Sequence, residues 1–330
     1  MTVNSKAAQA PSSFRLKKFL RQNLVLIGII VLIVVTAAVE PKFMGQDNLT
    51  NVMRQLGSLA FVALGMTFVI IGGFIDLSVV GMISLVSVVT VSLINPLGQV
   101  GALLCGILLG ALLGYLNGVI LTGCGAMTQA EVLFITYGMS SVYIAVGLML
   151  THAETLRIAR SAKPYGIFTA LGSGTLFGVI PIALVLFVVC LILMHLFHNR
   201  TLAGRTISLM GGNKDAAYLC GFNVKRTMHL VYTISGIMSA LGGIMLSARV
   251  TTATASCGTG YETNAILCVV VGGTTLKGGK GSVIRTMLGV LLITLLGNCM
   301  NMLGLSTYMQ TVMRGAVLVV AIWLDNRREL

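Results

Sequence analysis

Residues 269–282, Val269-Val270-Val271-Gly272-Gly273-Thr274-Thr275-Leu276-Lys277-Gly278-Gly279-Lys280-Gly281-Ser282, read as a strand running into a phosphate loop. The spacing argues otherwise. A phosphate loop of the form G-x-x-x-x-G-K-[ST] needs a hydroxyl directly after its lysine to hold magnesium. Here five residues separate Gly273 from Gly279, and Lys280 is followed by Gly281. The stretch therefore reads as a glycine-rich bend where backbone turns or packs closely. What it bends between is decided by the sequence on either side.

That sequence is apolar. The 330 residues are 56% hydrophobic and only 9% charged, whereas soluble domains carry roughly 25% charged residues. Runs approaching the ~20 residues of a bilayer crossing recur along most of the chain. A transmembrane barrel would show short alternating segments instead. The fold class is thus an all-α polytopic membrane protein. Lys+Arg number 22 against 9 Asp+Glu. In a membrane protein such an excess belongs to cytoplasmic loops that set orientation, and no aromatic-interleaved basic patch points to nucleic acid. The seven cysteines lack C-x-x-C spacing and mostly fall in apolar runs, which makes them core filler rather than metal or redox ligands.

Apolar spans are expected at about 24–39, 56–74, 77–94, 98–122, 131–150, 176–198, 229–248, 265–276, 283–302 and 307–324. Residues 1–22 form a basic cytoplasmic tail and residues 23–330 the transmembrane domain. The eighth span, at about 12 residues, is too short to cross as a regular helix. With both termini cytoplasmic the number of crossings must be even, so this broken span crosses too and the total is about ten. The even count puts Arg200, Arg205, Lys214, Lys225, Arg226, Lys277, Lys280 and Arg285 inside with both tails. It leaves Lys42, Arg54, Arg157, Arg160, Lys163 and Arg249 outside, a distribution that follows the positive-inside rule. The glycine-rich stretch then lies at the cytoplasmic end of the broken span. Irregular backbone there must be covered by protein or a water-filled cavity. The apolar-Gly-Gly pattern recurs at Ile70-Ile71-Gly72-Gly73. Chance and an internal duplication both account for a match of four residues.

Few residues suggest chemistry. Asp76 and Glu131 sit at span ends and Glu262 borders the eighth span, so no buried chain of acids offers a proton relay. Neither H-E-x-x-H nor G-x-S-x-G occurs, and the four histidines lie at span edges or in loops. Thr294, Asn298 and Asn301 share one face of the ninth span. Asn117 and Gln310 are similar polar residues within spans. Such groups either hydrogen-bond between helices or line a polar path. Arg314 lies four residues after Gln310, near enough to the outer surface to snorkel or to pair, for instance with Glu262. The longest inside loop, 199–228, contains Gly211-Gly212-Asn213-Lys214-Asp215-Ala216-Ala217-Tyr218-Leu219-Cys220-Gly221. Asn213 suits an N-cap, Asp215 the first turn and Gly221 the C-terminal stop of a short helix. With small Ala216 and Ala217, such a helix can dock closely into a groove on another protein.

Asp215-Ala216-Ala217-x-x-x-Gly221 resembles the E-A-A-x-x-x-G coupling motif of permeases from ABC importers, with Asp for Glu. Gly72-Gly73 followed by Ile75-Asp76-Leu77-Ser78-Val79 is similar to a signature of the ribose/arabinose/xylose branch of bacterial sugar permeases. Gly258-Thr259-Gly260-Tyr261-Glu262 and Val271-Gly272-Gly273-Thr274-Thr275-Leu276-x-Gly278-Gly279-x-Gly281 resemble that branch's second signature. Together the matches span most of residues 45–325. Val80 stands in place of a Gly, Asn264 where Asp is common, and Met127–Glu131 in place of a Pro-Ser-Phe-like entry to the fifth span.

The resemblance implies a non-catalytic pore subunit of the bacterial inner membrane. It would work with a second permease copy or paralogue, a cytoplasmic ATPase pair that uses ATP and Mg, and a periplasmic binding protein delivering a monosaccharide. A furanosyl signalling molecule or a polyol are alternative cargoes. Contacts to the ATPase fall to Gly211, Gly212, Asn213, Asp215, Ala216, Ala217, Gly221 and Asn223. Path candidates are Asp76, Asn117, Thr294, Asn298, Asn301 and Gln310, with Tyr261 and Glu262 on the binding-protein side. No metal or cofactor is expected on this chain. A secondary transporter or a channel, read from the residues alone, would need no docking helix.

Overall fold

The computed structural model describes residues 24–158 and 162–328, so the basic tail and Arg160 lie outside the described residues. Among the described residues there are twelve α-helices. They are α1 (Leu24–Val39), α2 (Gln46–Ile71), α3 (Val79–Gly123), α4 (Gln129–Thr151), α5 (Gly166–Ser173), α6 (Ile182–Arg200), α7 (Leu202–Gly212), α8 (Lys214–Leu219), α9 (Val224–Val250), α10 (Tyr261–Val271), α11 (Val283–Met302) and α12 (Thr307–Arg328). A 3-10 turn at Pro41–Met44 joins α1 to α2. Strands are two-residue ribbons: β1 (Leu156–Arg157) pairs with β4 (Thr252–Ala253), and β2 (Thr175–Leu176) with β3 (Ile180–Pro181), both antiparallel.

Six helices, α2, α3, α4, α6, α9 and α11, are long and apolar enough to cross a bilayer, and α1, α10 and α12 are shorter apolar helices. The chain is an all-α polytopic membrane protein. The sequence boundaries shift in instructive places. The spans expected at 77–94 and 98–122 form one 45-residue run that breaks at Gly98, whose φ of 75° and ψ of 170° leave the helical region two residues after Pro96. The residues expected to begin the sixth span fold as the β2–β3 hairpin, turned at Gly178 (φ 73°), and α6 starts only after Pro181. The eighth span is the eleven-residue α10, which stops at Gly272. At 1.5 Å per residue it rises about 16 Å, roughly half the hydrocarbon thickness.

α2 and α9 form the centre and are buried almost throughout, whereas α4 and α6 bury only a face. α9 packs most heavily on α3. The reason is a row of glycines on the second arm of α3, Gly106, Gly110, Gly114 and Gly118, spaced four apart. A methyl on Gly110, Gly114 or Gly118 would collide with Ala240, Gly236, Tyr232 or His229 of α9. The two backbones meet with nothing between them, as small-residue interfaces in lipid require. α1 lies to one side, where Ile29 clusters with Leu295 and Cys299 of α11.

Candidate functional site

At one end of the bundle three pairs of glycines meet. α2 ends at Gly72-Gly73 and α10 at Gly272-Gly273 with the same helix stop. Phe74 N donates to Val69 O (3.1 Å) and Thr274 N to Val269 O (3.2 Å), with Gly73 and Gly273 at φ 84° and 89°. The loop after α10 folds on itself, Thr275 N donating to Lys280 O at 3.2 Å. It then reaches across, and Gly279 N donates to Ile71 O at 2.8 Å. Gly211, at the end of α7, sits against both. A Cβ on Gly278 would lie 2.6 Å from Gly73 Cα, and one on Gly279 would lie 2.7 Å from Gly212 Cα. The stretch that looked like a phosphate loop is the middle of a backbone-to-backbone junction that joins the ends of α2, α7 and α10.

The loop expected at 199–228 is not a loop: it folds into α7 and α8, and Gly211 and Gly212 close α7 rather than preceding a single helix. α8 has the caps its sequence suggests. Asn213 Oδ1 accepts from Ala216 N at 2.9 Å. Phe222 N donates to Ala217 O at 3.1 Å, with Gly221 at φ 84°. Asn223 caps the next helix, its Oδ1 accepting from Arg226 N at 3.0 Å. Ala217 is buried while Tyr218 and Leu219 are exposed (71% and 83%), so α8 stands on the molecule with an apolar tip free. Asp215 lies in its first turn. Lys214 anchors it: Nζ donates to Met127 O and sits 4.0 Å over the Phe74 ring. Burial pushes the Lys214 ammonium below its ordinary pKa, and Glu131 and Asp215 pull it back up. A groove of about 480 Å³ runs between α7–α8 and the glycine loop, lined by Ala216, Ala217, Cys220, Phe222, Thr275 and Lys280 among others.

The polar residues expected along a path separate into four places. Asp76 and Asn117 are fully buried in one network. Asp76 Oδ1 accepts from Ser78 N (2.9 Å) and Ser78 Oγ (2.5 Å), and Oδ2 from Ser235 Oγ (2.7 Å). Asn117 Nδ2 donates to Ser78 Oγ (2.7 Å), and its Oδ1 accepts from Tyr143 OH (2.6 Å). This ties the α2–α3 connection to α3, α4 and α9, and nothing in the sequence spacing points to Ser235 or Tyr143 as partners. Asn298 and Asn48 exchange side-chain amide bonds of 2.8 and 3.1 Å between α11 and α2. Gln310 Nε2 donates to Asn301 Oδ1 at 2.7 Å between α12 and α11. Of the stripe on α11, Thr294 lines a polar cavity with Tyr261, at the opposite end from the glycine junction. Glu262 follows Tyr261 on α10. The pairing of Arg314 with Glu262 is not made through Arg314 Nε or Glu262 Oε2, both buried without a partner. Among the described residues no cluster of three or more His, Cys, Asp or Glu could hold a metal ion.

A model of the family described as branched-chain amino acid transport system / permease component matches residues 48–322. The chain is 33% identical over 318 residues to the ribose import permease protein of Haemophilus influenzae, covering 96% of each. It is 34% identical over 303 residues to the ribose import permease protein of Bacillus subtilis, covering 92% of each. It is 28% identical over 304 residues to the D-allose transport system permease protein of Escherichia coli, covering 90% of this chain and 89% of that one. No solved structure matches the chain.

Proposed function

The chain belongs to the family of transport-system permease components, and from that footing we propose that it is the membrane-spanning permease subunit of an ATP-driven monosaccharide importer. The similar ribose and D-allose permeases support a sugar cargo. The observation that carries the partner side of the reading is α8. It is a short helix capped at both ends, with Tyr218 and Leu219 exposed at its tip and Ala217 packed below. An apolar knob on a basic cytoplasmic face needs a partner groove, and an ATPase subunit supplies one.

In this reading the chain crosses about ten times, with α10 as the short broken crossing and both termini cytoplasmic. The glycine junction and α8 face the cytoplasm, and Tyr261 and Glu262 face a periplasmic binding protein. A second permease copy or a paralogue completes the pore. ATP and Mg belong to the partner ATPase pair, and the glycine stretch of this chain holds neither. Closure of the ATPases would move α8, and α7 would carry the movement into the junction. From there it reaches α2 and α3 on one side and α10 and α11 on the other.

Purification of the tagged chain from its native membrane tests this. An ATP-hydrolysing subunit should co-purify, and sugar uptake by the reconstituted assembly should require ATP. Uptake by the chain alone, driven by an ion gradient, would replace this reading with a secondary transporter.

A further inference from the structure

At the end of the bundle opposite the glycine junction, a cavity of about 160 Å³ lies where α2, α10, α11 and α12 meet the last turn of α9. A single water needs only about 10–15 Å³ of such space, so the cavity has room for several waters or for a small polar solute. Its lining is polar: Gln55, Arg249, Tyr261, Asn264, Thr294 and Arg314 contribute. Two features mark it as more than a gap between helices. Thr294 is 96% buried (4% exposed), yet its Oγ1 has no hydrogen-bond partner, and Arg314 Nε is likewise buried and unpartnered. Buried polar atoms are normally satisfied, and these two exceptions, themselves without accessible surface, belong to residues that border the same cavity. The structure also makes room for the charge: a Cβ on Gly297 would lie 3.1 Å from a terminal nitrogen of Arg314.

The charge of the lining is one-sided. Among the described residues Arg249 and Arg314 are its two basic side chains and no carboxylate lines it; Glu262, next to Tyr261, is not among the lining residues. The Tyr261 hydroxyl is taken up by a hydrogen bond to Ser58 Oγ at 3.1 Å. An arginine within an apolar helix is costly and characteristically faces a solute route in the bundle interior. A guanidinium is a planar fork of donors that fits a carboxylate better than it fits a neutral hydroxyl. Resting on the reading of the chain as a solute permease, we propose that this cavity holds the cargo and that the cargo is a sugar acid. Its carboxylate would take the guanidinium donors of Arg249 and Arg314. Its hydroxyls would take the side-chain amides of Gln55 and Asn264.

The test is equilibrium binding to the full chain in lipid nanodiscs, with D-ribonate and D-ribose as probes. Ribonate is expected to bind at least about tenfold more tightly than ribose, the margin of a charge-assisted over a neutral hydrogen-bonded contact. Arg249→Gln and Arg314→Gln are each expected to weaken ribonate about tenfold or more. Arg314→Lys keeps the charge without the fork and should retain the preference for the acid. Unchanged gel-filtration profiles and unfolding midpoints separate these effects from misfolding. Ribose binding as tightly as ribonate overturns the proposal and leaves the permease reading standing. Binding of neither also overturns it. So does ribonate binding that ignores both arginine substitutions. Failure of the permease reading shows separately, as absence of a co-purifying ATPase.

Discussion

A carboxylate with no surface exposed must have its lone pairs filled by neighbours, and Asp76 shows the consequence. Its two oxygens take three donors from Ser78 and Ser235, and Ser78 Oγ in turn accepts from Asn117. Asn117→Leu deletes the partner of both Ser78 Oγ and Tyr143 OH in a site that water does not replace. The expected loss is about 1–3 kcal/mol, read as a lower unfolding midpoint in detergent, and an unchanged midpoint would dismiss the network as a fastener. Gly221 obeys a different rule. A side chain there has open space within 4 Å, but φ is 84°. Only backbone strain opposes substitution, so Gly221→Leu should unfasten α8 and lose the ATPase, whereas Gly221→Asn, which tolerates that region, should retain it. Equal behaviour of Leu and Asn in co-purification would refute the cap. Lys280→Ala should leave ATP-driven uptake largely intact, because what holds residue 280 in the junction is its backbone carbonyl accepting from Thr275 N at 3.2 Å.

At the scale of elements, α8 and the α3–α9 pair carry the clearest expectations. Ala217 is 4% exposed on the inward face of α8 and borders the groove between α7–α8 and the glycine loop, so the indole of Ala217→Trp must fill that groove or push α8 outward. Overpacking costs about 1–3 kcal/mol, here spent on tilting α8. Uptake should fall and ATPase association weaken while the protein still inserts and expresses. Normal uptake with the ATPase bound would remove α8 from the coupling route. The caps that define α8 are local, and Asn213 and Gly221 announced them in the sequence. The apolar runs were legible for the same reason, since a helix in lipid is specified by its own residues. What depends on partners far along the chain was not legible. Gly106, Gly110, Gly114 and Gly118 form a visible four-residue repeat, but the surface they fit, Gly236 and Ala240, lies more than a hundred residues on. The same holds for Asn298, whose partner Asn48 is 250 residues away. Sequence placed Thr294, Asn298 and Asn301 on one face. It could not say that Asn298 and Asn301 commit their amides to neighbouring helices while Thr294 Oγ1 is buried without a hydrogen-bond partner.

Across the whole molecule the orientation can be read with two single cysteines in a background stripped of the native seven. Ser256→Cys sits in the exposed α9–α10 connection and should react with an impermeant reagent from outside intact cells. Tyr218→Cys, 71% exposed on α8, should react only after permeabilisation. Labelling of both from the same side would overturn the odd number of crossings between them, made by α9 alone. The glycine junction carries one more consequence, for biosynthesis. Its parts sit at residues 71–73, 211–212 and 278–279. A chain emerging from the ribosome at about 5–20 residues per second has made the first two many seconds before the third exists. Until residue 279 is laid down, α8 is already capped but has no completed seat beneath it. The knob that meets the motor subunit is therefore finished early and its mounting late, so a truncated or stalled chain would offer partners a grip connected to nothing.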